Sequence, residues 1–416
     1  MQATFYAANN HKTTIFQRIF MTKMTNTVRL RREIHKYPEL SNQEVETAKR
    51  IKAYFSDLKP SNIIEGIGGT GIAFEYLSAG YQIPEETGTS EQPTLLLRCE
   101  LDALPIQEVN DFEYKSVKDK ISHKCGHDGH MAIISEVGRF LSENPLKTGR
   151  VILLFQPAEE IGTGAIAVIN DPIFATIAPD FAFALHNLPG KPLGEVFIKP
   201  GTFNFASQGI IIQLEGIESH AAHPEDGINP ALALCKIIQS LHALPDSIKK
   251  LDSSHDDEYA SVTIISAQMG GANFGTSPGS ATVMATLRTS HNGLMEQMYQ
   301  QAVLTINAIA GDESVKCQIT KEDVFATCTN TRKGYDLVTT ACQKAQVNFT
   351  KITKPYRWSE DFGRLLESAN EGAMFTIGAG IDSPQLHNPD YDFPDELIAI
   401  ASNVFIELIR DVNQFE

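Results

Sequence analysis

Four side chains able to bind a metal fall within six residues of the stretch ISHKCGHDGHMAIISEVGRFL (121–141): Cys125, His127, Asp128 and His130. Thiolate and imidazole are borderline-soft ligands that suit zinc and its neighbours. A divalent metal is therefore the first chemistry this spacing suggests, with a reactive thiol and ordinary helix capping as competitors. Asp128 and His130 open a helical pattern, so capping or support of neighbouring ligands outranks ligation for these two. Cys125 alone would more often be an inert buried thiol. Two residues from His127, it reads instead as a ligand.

Other chemistry-bearing residues follow short apolar runs. TLLLR leads to Glu100 and Asp102, VILLFQPA to Glu159 and Glu160, FAFAL to His186, and MFTIGAG to DSPQLHNPD with His387. Continuous apolar runs of this length predict strands buried on both faces. Sheets of that kind place ligands outside the carboxyl ends of their strands. The pooled thiol, imidazoles and carboxylates suffice for two metal ions sharing a site, as in aminopeptidase-type hydrolases. His186 could instead be a polar strand end, and Glu159–Glu160 a solvated pair. A charge pair that ends an apolar strand at a proline fits plain surface poorly. His11, His242, His255 and His291 lack such context and are expected on the surface.

The elements that must position these groups are helices over TVRLRREIHKYPEL and NQEVETAKRIKAYFSDL, followed by strands alternating with helices, the α/β pattern. After Gly201 the order becomes β-α-β-β-α-β, that of a ferredoxin-like split unit, with one helix expected over NPALALCKIIQSLHAL. The first pattern then resumes, which predicts an α/β domain interrupted by an inserted α+β domain. EGIGGTG carries the GxGxxG spacing but precedes a strand instead of opening a helix, so its glycines read as turn residues and not as a nucleotide site. PEETGTSEQP (84–93) is expected to be an exposed polar loop.

Composition narrows the classes. A net charge of −16 excludes the basic footprint of a nucleic-acid binder. No apolar run reaches membrane-spanning length. Six scattered cysteines suit reduced thiols in a cytoplasm better than a disulfide framework. Residues 1–24 lack the pattern of a secretory signal and read as a tail or an over-called start.

LRREIHKYPELSNQEVETA, LLRCELDALPIQE, HKCGHDGHMA, GRVILLFQPAEEIGTGA, LHNLPG, SHAAHPEDGINPA, WSEDF and LHNPDYDFPDEL together resemble the metal-dependent amidohydrolases of the aminoacylase/carboxypeptidase superfamily. They are most similar to its branch of hippurate hydrolases, N-acyl-amino-acid amidohydrolases and plant auxin-conjugate hydrolases. The resemblance implies a zinc-exopeptidase-like catalytic domain with a mixed sheet, residues 25–202 and 327–416, and an inserted dimerisation or lid domain, 203–326.

It also implies a ligand set of Cys125, His127, Glu160, His186 and His387 for two divalent ions: zinc, manganese, cobalt or nickel. Glu159 would be the general base toward a metal-activated water, and Asp102 would orient a ligand. His220 would polarise the scissile carbonyl, and Arg288 would hold the substrate carboxylate. The implied substrate is an N-acyl amino acid or short peptide, and the implied assembly a homodimer. A dipeptidase or carboxypeptidase, or a homologue that binds metal without catalysis, are the alternatives. One departure stands in GGANFGTSPGS, where Gly275 occupies the position of a family asparagine and Asn273 comes two residues early.

Overall fold

The computed structural model describes residues 26–81, 92–251 and 259–416. The expected tail, most of the polar loop 84–93, His11 and His255 lie outside the described residues. Helix α1 covers 26–36 and ends ahead of Pro38, whose ring disfavours helical geometry in the residue before it. Helix α2 (Val45–Phe55) buries Ile51 and Phe55. Strands β1 (Asn62–Ile67) and β2 (Gly71–Leu77) form an antiparallel hairpin. The glycines of EGIGGTG turn that hairpin, Gly66 and Gly68 having φ of 77° and 64°. Then come β3 (Thr94–Glu100), α3 (His127–Glu143), β4 (Arg150–Gln156), α4 (Gly164–Asn170), α5 (Phe174–Ile177), β5 (Phe181–Leu188) and β6 (Val196–Ile198).

The chain continues through β7 (Gly201–Asn204), β8 (Ala206–Glu215), β9 (Ser219–His220), α6 (Ala231–Leu251), β10 (Ala260–Met269), β11 (Thr276–Ser277), β12 (Ser280–Thr289), α7 (Asn292–Asp312) and β13 (Lys316–Phe325). It ends with β14 (Cys328–Asn330), α8 (Arg332–Lys344), β15 (Phe349–Lys351), α9 (Phe362–Glu367), β16 (Glu371–Gly378) and α10 (Glu396–Val412).

The larger sheet is mixed and eight-stranded, in the order β1-β2-β4-β3-β5-β16-β6-β15. Its four central strands, β4, β3, β5 and β16, run parallel. Alternation along β4 explains the unbroken apolar text. Val151, Leu153 and Phe155 pack with residues of α3 and α10, while Ile152 and Leu154 pack with residues of α4, α5 and α9. Each such side chain stabilises the fold by about 1.5–3 kcal/mol relative to exposure.

The smaller sheet is antiparallel, ordered β10-β12-β8-β13. With α6 and α7 it closes a separate core around Ile212, Ile237, Leu241, Met298 and Ile306. The segments entering and leaving it, β7 and β14, pair side by side. Helix α6 runs past the expected end at Leu244 and through Pro245. Burying Ile248 in the same core as Leu241 and Leu244 offsets the backbone bond that the proline cannot make. His291 departs from the expected surface role. It is half-buried and caps α7, its Nδ1 accepting from Leu294 N–H at 3.0 Å.

Candidate metal centre

Because β3, β4, β5 and β16 are parallel, their carboxyl ends open on one edge of the sheet. Glu100 ends β3, with Asp102 just beyond it. Glu159 and Glu160 follow β4, His186 lies within β5, and His387 follows β16. The loop before α3 brings in Cys125. Its glycine, Gly126, has φ of 95°, and a Cβ there would lie 2.4 Å from Asn187 Oδ1. One turn on, a Cβ on Gly129 would meet the buried Phe393 ring at 2.3 Å. Both motif glycines thus permit close approach.

Neither Asp128 nor His130 caps α3, whose N-cap is Gly126 without a side-chain bond. Asp128 is buried against Arg31 Nε at 2.8 Å and His35 Nδ1 at 2.9 Å. His130 joins Glu100 Oε2 at 2.7 Å to Asn187 Oδ1 at 2.5 Å. Capping fails here because both side chains turn inward, where α1 and β5 supply partners. Their part is to support the ligand loop.

The structure gathers Cys125, His127, Glu159, Glu160, His186 and His387 into one cluster. Cys125 Sγ lies 3.4 Å from His186 Nε2. His127 Nε2 lies 3.7 Å from Glu159 and 3.8 Å from Glu160 Oε1, and Glu160 Oε2 is 3.8 Å from His387 Nε2. Cys125 belongs both to a possible ligand group with His127 and His186 and to one with Glu160 and His387. His127 Nε2 and Glu160 Oε1 are buried without a hydrogen-bond partner. Two nitrogen or oxygen ligands on one tetrahedral zinc stand about 3.4 Å apart, so these orphaned atoms suit a divalent cation between them.

Proton affinities favour the same occupant. Burial lowers His127, but the bond to Asp102 and the nearby carboxylates outweigh it and raise the group to about 10. Burial raises Glu160 to about 7, with Asp102 adding to the shift and His127 opposing it. Burial, then Glu360 and Glu160, push Glu159 well above the usual carboxylate range. Burial and neighbouring histidines hold His186 and His387 below the ordinary imidazole value, which leaves their lone pairs free to coordinate. The pocket concentrates negative charge that a cation would neutralise.

Surrounding bonds hold the cluster in shape. His127 Nδ1 donates to the Asp102 carbonyl at 2.9 Å and lies 3.4 Å from Asp102 Oδ1. Asp102 Oδ2 accepts from Ser41 Oγ at 2.7 Å and from Glu160 N–H at 3.0 Å. Ala158 and His387 adopt φ of 51° and 67°, uncommon for residues with a Cβ. The Glu44 carboxylate holds Ala158 N–H at 2.8 Å, and the Lys124 carbonyl holds His387 N–H at 2.8 Å.

Two expected site residues share no hydrogen bond or ion pair with the cluster. Arg288 Nη1 donates to the Arg357 carbonyl at 2.8 Å and to Ser359 Oγ at 3.0 Å, and among the described residues no carboxylate pairs with it. His220 is exposed, with Nδ1 accepting from Ala222 N–H at 3.0 Å. No hydrogen bond or ring contact joins it to the cluster. Asn273 Oδ1 accepts from Gly275 N–H at 3.0 Å and so closes its own turn.

Sequence reasoning passed over Arg98, Trp358, Glu360 and Asp361. Buried Arg98 donates to Glu360 at 2.8 Å and to Asp361 at 2.6 Å, and it also pairs with Glu100. The Trp358 ring lies 5.8 Å from that of His186. The string WSEDF was the available signal, but no strand end or ligand spacing marks it.

Residues 96–411 match Peptidase family M20/M25/M40. The chain is 28% identical over 382 residues to a hippurate hydrolase of Campylobacter jejuni, covering 91% of this chain and 94% of that protein. It is 29% identical over 384 residues to an N-acetyl-L-cysteine deacetylase of Bacillus subtilis, covering 91% and 85% respectively. Among solved structures, a dinuclear metal binding peptidase of the M20 family from Bacillus subtilis superposes with a TM-score of 0.75 at 25% identity, over 94% of this chain and 99% of that one. A match that begins in β3 and ends in α10 takes in the parallel core and the smaller sheet alike, so this chain belongs to peptidase family M20/M25/M40 and is an enzyme of the amidohydrolase kind.

Proposed function

We propose that the chain hydrolyses the amide bond of N-acyl amino acids, or of short peptides with a free terminal carboxylate. The observation that carries this reading is a buried carboxylate, Glu159, set 3.7 Å from His127 among thiol, imidazole and carboxylate ligands. The names of the hippurate hydrolase and deacetylase relatives support the substrate class.

Cys125, His127, Glu160, His186 and His387 would hold two divalent ions, drawn from zinc, manganese, cobalt or nickel, with the Cys125 sulfur common to both groups. Such ions, when bound, polarise a carbonyl and acidify water. Glu159 takes a proton from the attacking water and returns it to the leaving amine, a task suited to its raised proton affinity. Asp102 keeps the His127 ring oriented through Nδ1. The fork of Arg288, which no carboxylate of the described residues faces, receives the substrate carboxylate. His220 polarises the scissile carbonyl, which requires closure of the smaller unit or a second copy of the chain.

Residues 203–326 are proposed as the dimerisation or lid domain, supported by the edge position of β10 and by Ile265, 58% exposed on it. Light scattering would give the mass in solution. Six cysteines without a disulfide support a reducing, cytoplasmic location. The central test is Glu159→Gln. Metal content, measured by mass spectrometry, should be unchanged while kcat falls by about 10²–10⁴. Normal turnover in the fully metallated variant would refute the assignment.

A further inference from the structure

We infer that Trp358 is the wall against which the amino-acid side chain of the substrate rests, so that the enzyme favours bulky apolar residues, aromatic ones above all, on the carboxylate side of the scissile amide. The inference rests on the proposed reading in which the scissile carbonyl lies at the metal centre and the carboxylate on Arg288. Trp358 adjoins both, its ring facing His186 and its two chain neighbours holding Arg288. Its ring is 5.8 Å from the His186 ring. The groups on either side of it, the Arg357 carbonyl and Ser359 Oγ, accept from Arg288 Nη1 at 2.8 and 3.0 Å. A substrate anchored at both ends passes across the indole, and the part between its anchors is the α-carbon with its side chain. The acyl group lies on the far side of the carbonyl.

The wall is rigid. The indole stacks on Tyr356 at 5.1 Å and 21° and meets the Phe203 ring edge-on at 6.2 Å and 86°. Tyr356 is fixed in turn by its hydroxyl, 3.1 Å from Thr376 Oγ1, and by backbone bonds with Phe203 and Phe205 at 2.8 and 3.1 Å. Trp358 is only half-buried, so its packing on Phe203 and Tyr356 leaves part of the ring open. A fixed, partly open aromatic face suits an apolar or aromatic side chain.

The test uses the metal-loaded full chain with N-acetyl-alanine, N-acetyl-leucine and N-acetyl-phenylalanine, and with N-benzoyl-alanine to vary the acyl group alone. Trp358→Leu should lower kcat/KM for N-acetyl-phenylalanine about tenfold or more, chiefly through KM, the scale of one lost aromatic contact with its burial. Both alanine substrates should change by less than about threefold, and Trp358→Phe should retain most of the preference. Trp358 is the only tryptophan, so its emission gives a second readout. Free L-phenylalanine should shift it saturably, and L-alanine should not. An equal loss on all substrates, a loss that follows the acyl group, or emission unmoved by phenylalanine at concentrations that slow hydrolysis would overturn the inference. Failure to hydrolyse any N-acyl amino acid would overturn the functional proposal alone, and the emission titration would still decide the role of Trp358.

Discussion

Replacing Arg98 with methionine should destabilise the protein strongly, and more so in base than in acid. Arg98 is 1% exposed, and three carboxylates, Glu100, Glu360 and Asp361, face its guanidinium. Burial acts to discharge the guanidinium, but those carboxylates outweigh it and keep the group charged. At 2.6–2.8 Å each contact corresponds to about 6 kcal/mol of gross attraction at an effective dielectric constant near 20. Desolvation offsets most of this, and removing one partner of a buried pair costs about 3–5 kcal/mol.

Asp361 keeps Gln156 Nε2 at 2.9 Å and Ala165 N–H at 2.8 Å, and Glu100 keeps His130 Nδ1 at 2.7 Å, but all three carboxylates lose the guanidinium. Arg98 lowers both Glu100 and Asp361, and burial holds Asp361 at about 8 even with the cation in place; without it both rise, so stability is retained at low pH and lost as pH rises. Urea unfolding of Arg98→Met, followed by circular dichroism and Trp358 emission, should show a loss of about 3–5 kcal/mol near pH 8 and a smaller loss near pH 5. Arg98→Lys keeps the charge without the fork and should fall between. A loss below about 1 kcal/mol, or one equal at both pH values, would refute the reasoning.

On the proposed ligand set, Cys125→Ser should weaken metal binding, because a hydroxyl replaces the sulfur that belongs to both possible ligand groups. Bound metal should shield Cys125 from alkylation, which peptide mapping of metal-free and loaded protein would read. Gly129→Ala should cost about 1–3 kcal/mol in a denaturant titration, because its methyl group would enter the Phe393 ring. Burial raises Glu108, but bonds from His35, Lys124 and Ser116 N–H outweigh it and bring the group to about 2. Its stabilisation is complete above 4.5 and is lost as pH falls toward 2. Glu108→Gln should therefore flatten the acid limb of a urea-midpoint profile. Burial lowers His35, but Asp128 and Glu108 raise it overall. Its contribution is full below 6.5 and is lost as pH rises through its raised value, so His35→Gln should flatten the neutral-to-alkaline limb.

Local signals determined much of this protein. Strands buried on both faces are apolar through their middles, so β4 and β5 were legible as continuous runs, with Glu159 and Glu160 just beyond β4 and His186 near the end of β5. Cys125 and His127 are close in sequence, which made their chemistry visible without a fold. The β-α-β-β-α-β order and the hairpin glycines were legible for the same reason, since periodicity and backbone freedom act over a few residues.

Only the tertiary structure decided what depends on which strands become neighbours. The pairing of β5 with β16 brings His387 to His127 and Glu160, and nothing near His387 in the chain announces that meeting. Arg98 meets Asp361 across 263 positions, and Asp128 abandons capping because α1 delivers Arg31 and His35 to it. Arg288, which the smaller sheet supplies from β12, meets the Arg357 carbonyl across 69 positions. A buried charge must find its partner wherever packing brings one. Sheet order sets that location, and sequence spacing alone does not encode it.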